Sequence, residues 1–177
     1  MKISVKKLVV CGILSAFALI SFMLENLLPP LCVVGGRIGI SNLFILLAGL
    51  LAGFWYGCAA LVIKTVFGSI FGGNISAVLY SLPAGAIAYF SEMLLLLYAK
   101  RVSIIAASAF GGALNACLQN AAFCIITATP EYLIYMPYLA LIGTAGGLIV
   151  GAVVFFTIKY LPDTFSDFAT KDNTQKE

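Results

Sequence analysis

Residues 8–24 read LVVCGILSAFALISFML, an unbroken run without a charge that follows Lys2, Lys6 and Lys7. A helix that crosses a bilayer takes about 20 predominantly apolar residues, and about 17 suffice for a short one. The run therefore reads as a first transmembrane helix. A cleaved signal peptide would place a small-x-small site after it, and Phe22-Met23-Leu24-Glu25-Asn26 offers none. The helix is expected to stay in the protein.

Outward from this stretch the same kind of run recurs. Cuts at Gly, Pro and charge predict further helices over residues 38–54, 57–71, 75–98, 102–127 and 133–160. The 177 residues are 62% hydrophobic and 10% charged, whereas a soluble domain carries about 25% charged residues. A water-facing surface cannot be built from that composition. The expected fold is all-α, a polytopic bundle of six transmembrane helices filling residues 1–162. Residues 163–177 hold Asp163, Asp167, Lys171, Asp172, Lys176 and Glu177 and little apolar surface, so they are expected to form a disordered polar tail.

Six helices with the N-terminus inside put Lys2, Lys6, Lys7, Lys100, Arg101, Lys159, Lys171 and Lys176 on the cytoplasmic side and only Arg37 outside. That is the positive-inside bias. It predicts a multi-pass plasma-membrane protein in contact with lipid, with both termini cytoplasmic.

Several signals concern packing. Gly143, Gly147 and Gly151 repeat every four residues, which lets another backbone approach closely. Gly12 and Ala16 share that spacing beside Ser15, as either an internal contact or a face for a partner. Pro83 predicts a kink or an irregular segment in the fourth helix. The five cysteines are odd in number and lack C-x-x-C spacing, so they read as packing residues rather than metal ligands. Histidine is absent, which removes the commonest general base and metal ligand.

Charges inside the membrane are expensive. Lys64 lies eight residues past Tyr56, and Glu92 six before Tyr98. These are about 12 Å and 9 Å of helix rise from the same interface. The readings left open are a neutralising pair, Lys64 serving an anionic ligand, or snorkelling. Ser108, Gly112, Asn115 and Gln119 form one narrow stripe of the fifth helix, suited to interhelical hydrogen bonds or to a cavity wall. The first outer loop holds Pro29-Pro30 and Gly35-Gly36 and ends on Arg37. Arg37 would either anchor headgroups or clamp an anion with help from the amides of the following helix start.

Gly36-Arg37-Ile38-Gly39-Ile40-Ser41-Asn42 resembles the glycine-rich, cation-bearing signature of the Gx transporter family, also known as heptaprenyl diphosphate synthase component I. Lys64-Thr65-Val66-Phe67-Gly68-Ser69, with lysine where arginine is usual, and Ser81-Leu82-Pro83-Ala84-Gly85 with Met93 are similar to the next motifs. Gly112, Asn115 and Gln119, then Tyr135-Met136-Pro137 and the glycine-rich end, follow in order. Leu114 stands where the family usually has histidine.

The resemblance implies the fold of the substrate-binding S components of energy-coupling-factor transporters, and Arg37, Asn42, Lys64, Ser81, Asn115, Gln119 and Tyr135 as substrate-binding residues. It also implies Gly12 and Ala16 as the face that docks onto a transmembrane coupling subunit, itself served by ATPases. The expected function is binding and ATP-driven import of a small anionic or isoprenoid-like, quinone-precursor-like molecule. The alternative is a non-catalytic membrane subunit assisting a polyprenyl (heptaprenyl) diphosphate synthase.

Catalysis by the chain itself is not expected. Asp163, Asp167 and Asp172 are its only aspartates, so it can build neither an aspartate-rich magnesium site for diphosphates nor a P-loop. No cofactor, metal or nucleic-acid partner is implied.

Overall fold

In the computed structural model, described over residues 5–27, 39–99 and 101–160, six α-helices follow one another. They are α1 (Val5–Leu27), α2 (Ser41–Leu51), α3 (Phe54–Phe71), α4 (Ala77–Tyr98), α5 (Ile104–Thr127) and α6 (Met136–Lys159), with a 3-10 helix, Pro130–Tyr135, leading into α6. Five of them are long and apolar enough to cross a membrane, as befits a multi-pass membrane protein. The tail from residue 163, Arg37 and Cys32 lie outside the described residues.

The second helix departs from expectation. It has 11 residues rather than a run from 38 to 54, so it rises only about 17 Å against a hydrocarbon core of about 30 Å. Gly39 and Gly53, at φ +79° and +119°, bracket it. These are conformations that L side chains rarely adopt and that no helix contains, so the apolar pattern carries on where the backbone cannot.

Pairwise contacts show that each helix reverses the last. Glu25 near the end of α1 accepts from the first amide of α2, Ser41 N, at 3.2 Å. Cys11 Sγ reaches the Tyr56 carbonyl of α3 at 3.4 Å, and a Cβ on Gly68 would strike the Phe22 ring, so α1 and α3 run parallel. Tyr89 of α4 donates to the Phe54 carbonyl at 3.0 Å, and Gly85 faces Leu61, which makes α3 and α4 antiparallel. Gln119 donates to Ser81 while Gly111 faces Glu92, and Gly112 faces Gly143 while Gly151 faces Ile105. By this alternation α1 starts and α6 ends at the same end of the bundle.

The inward face of α1 is Cys11, Ser15, Ala18, Phe22 and Glu25, all buried at alternating spacings of four and three, the stripe of a one-sided helix. Its other side is exposed and apolar, with Val9, Ile13, Phe17 and Ile20 among its residues, a surface suited to lipid. The glycines of α6 find their partner in α5. A Cβ on Gly147 would meet the Ser108 carbonyl oxygen and lie 2.8 Å from the Ala109 Cα, and one on Gly151 would lie 2.7 Å from the Ile105 Cα. The two helices pack backbone to backbone.

The fourth helix runs through Pro83 without interruption, so the irregular segment, one of the two expectations there, is not seen. Ser103 caps α5, its side chain accepting from Ala106 N at 3.1 Å, a bond that replaces one of the unpaired first-turn donors.

Candidate functional site

Between the helices lies a cavity of about 310 Å³, and all six helices contribute to its wall. That volume is at the lower end of ligand pockets, which run from about 300 to 1,000 Å³. Its position follows from the fold. Gly85, Gly111, Gly112, Gly143 and Gly147 all lie on its wall, and polar side chains from α2 to α5 line it with them.

Five of the seven residues expected to bind substrate, Asn42, Lys64, Ser81, Asn115 and Gln119, line this one cavity. Lys64 is 9% exposed, donates from Nζ to Asn42 Oδ1 at 2.8 Å and stands 5.3 Å from the Phe22 ring centre. Gln119 and Ser81 are bonded across α4 and α5. Arg37 lies outside the described residues. Tyr135 does not line the cavity. It closes the 3-10 helix as an exposed side chain, with its ring 6.2 Å from that of Tyr132.

The rings form a chain instead. Tyr80 and Phe123, both in the cavity wall, meet edge to face at 5.6 Å, and Tyr132 stands 6.0 Å beyond Phe123. Asn120, 2% exposed, pins that cover by donating to the Tyr132 carbonyl at 3.1 Å. Asn120 falls about 100° from Gln119 on the helical wheel, outside the narrow stripe legible in the sequence, yet it too faces the cavity. A cavity between helices accepts a wider sector of each than a helix–helix contact does.

Two of the readings left open by the sequence are narrowed here. Lys64 and Glu92 are not a pair: Lys64 turns to α2, while Glu92 lies against Gly111 of α5. Their depths differ because short α2 delivers α3 into the bundle at Phe54, level with Tyr89 of α4. Ten residues, about 15 Å, then separate Lys64 from that level. The start of α2 is also less available to an anion than its sequence suggests, since Glu25 already occupies the Ser41 amide.

Gly12 and Ala16 are both exposed, and a Cβ on Gly12 would meet nothing within 4 Å. The internal-packing reading of that patch therefore fails for Gly12. The described cysteines, Cys11, Cys58, Cys117 and Cys124, are free thiols.

The family model described as heptaprenyl diphosphate synthase component I matches residues 14–157, well over half of the chain and every helix but the first turns of α1 and the last of α6. The chain belongs to that family. No curated protein and no solved structure matches it. All of the cavity-lining residues fall within the segment that the component I model covers.

Proposed function

We propose that the chain is a non-catalytic, membrane-embedded subunit that holds a compact ligand among its helices and works beside a soluble polyprenyl diphosphate synthase. The observation that carries this reading is the cavity, polar in part and formed by all six helices, in a member of a family described as one component of such a synthase. Membrane bundles keep polar groups inside only where these pair or line a cavity that water or a ligand fills.

The chemistry of the wall speaks against synthesis at this site. Diphosphate transfer needs carboxylates grouped around magnesium, and the described carboxylates of the wall stand apart, Glu25 on the Ser41 amide of α2 and Glu92 against Gly111 of α5. A chain of seven isoprene units also exceeds what a pocket at the small end of the ligand range encloses. The ligand is therefore smaller than the finished heptaprenyl product.

A second reading, the substrate-binding subunit of an ATP-driven importer, is favoured by one observation. The Gly12–Ala16 patch is open on the outside of α1, as a docking face for a transmembrane coupling subunit would be.

Copurification of the tagged chain from gently solubilised native membranes tests both. Recovery of a prenyl synthase supports the first reading, and recovery of ATPases with a coupling subunit supports the second. Under either, Gly12→Leu with Ala16→Leu should lose the partner if α1 docks it and retain it if the patch faces only lipid. Recovery of neither partner class would sink both assignments.

A further inference from the structure

Among the described residues, the charged side chains of the cavity wall are Glu25, Lys64 and Glu92. Two of these are engaged at the α1–α2–α3 end, where Lys64 holds Asn42 and Glu25 holds the Ser41 amide. Glu92 is different. Among the described residues it forms no ion pair, and its buried Oε1 has no hydrogen-bond partner. Gly111 makes room for the carboxyl, since a Cβ there would lie 3.1 Å from Oε2.

Glu92 lines the cavity, and a carboxylate kept inside a helix bundle with one oxygen unpaired is a strong acceptor short of a donor. We propose that the cavity binds a compact ligand bearing nitrogen-borne protons, an ammonium or amidine group, and that this group seats on Glu92. The rings of Tyr80 and Phe123 bound the cavity toward the 3-10 helix and would cover the body of such a ligand. The Lys64 amine, which donates to Asn42 on the α2 side of the cavity, is not the seat of this group. This inference rests on the cavity being a ligand site and not on which partner the chain serves.

The test uses the full chain in detergent and three one-ring probes of similar size, benzamidine, benzyl alcohol and benzoate, by equilibrium dialysis. Benzamidine is expected to bind most tightly. Glu92→Gln should weaken it by about tenfold or more, the usual worth of a charged hydrogen bond, and leave benzyl alcohol unchanged. Glu92→Asp, which keeps the charge and retracts it by one methylene, should fall between. Benzoate binding as well as benzamidine, or benzamidine indifferent to Glu92→Gln, would overturn the proposal. If benzyl alcohol binds and benzamidine does not, the cationic ligand is wrong while the ligand cavity stands. If none of the three binds, the ligand-cavity reading fails and the proposal falls with it.

Discussion

Lys64 and Glu92 were each legible in the sequence as charges that a bilayer would penalise, yet their relation was not, because depth along a helix depends on where its neighbours start. The structure turns that into a measurable difference. Lys64→Met leaves Asn42 Oδ1 without its donor, which should cost about 1–3 kcal/mol. Glu92→Gln removes a carboxylate whose Oε1 has no partner and should leave the ligand-free protein at least as stable. With no shared contact among the described residues, the two effects should add to within about 0.5 kcal/mol in denaturant unfolding of the detergent-solubilised protein. A double mutant that recovers most of the Lys64→Met loss would restore the pair that the geometry denies. A second residue-level expectation concerns Tyr89, whose hydroxyl bonds the Phe54 carbonyl and fills the space beside Gly49 and Gly57. Gly57→Ala should destabilise the protein by displacing that hydroxyl, and the added Tyr89→Phe should relieve part of the loss. Equal melting of the single and double variants would show that the hydroxyl is not what Gly57 accommodates.

Helices α1 and α6 carry the same sequence signal, small residues four apart, and the structure gives them opposite meanings. Gly147 lies against the α5 backbone, where no side-chain rotation can relieve a clash, while Gly12 faces open space. One substitution therefore has two signs. Gly147→Ala should destabilise by about 1–3 kcal/mol through overpacking, and Gly12→Ala should stabilise by up to about 1 kcal/mol through helix propensity, both read as shifts in the melting temperature. A fall in melting temperature for Gly12→Ala would mean that the patch packs inside the bundle. This pair marks how far the sequence could be read at this scale. Hydrophobic runs located α3 and α4 closely, since charge and glycine end them. The spacing of small residues could not name a partner, and the apolar pattern through residues 38–54 hid the two positive-φ glycines that shorten α2.

At the scale of the molecule, the contacts establish alternation and the lysine and arginine distribution proposes its sense, and the two can be separated by one labelling experiment. Residues of different helices could be assigned to one cavity only once the helices were packed, which is why Lys64, Asn115 and Gln119 were legible as polar outliers, and Asn42 and Ser81 through the family resemblance, while Glu25, Asn120 and Glu92 were not recognised as sharing their site. Alternation puts Ser76, at the start of α4, and Glu131, in the 3-10 helix, at one end of the bundle, and Arg101, before α5, at the other. All three are exposed. In a cysteine-free background, Ser76→Cys and Glu131→Cys should react with a membrane-impermeant maleimide on intact cells, and Arg101→Cys only after permeabilisation. Those outcomes follow if the cations mark the cytoplasmic side. Labelling of Arg101→Cys alone in intact cells would invert the orientation and leave the fold untouched. Different accessibility of Ser76→Cys and Glu131→Cys would break the alternation itself, because α4 and α5 pair antiparallel through Gln119 and Ser81 near that end and cannot have their α3–α4 and α5–α6 connections on opposite faces of the membrane.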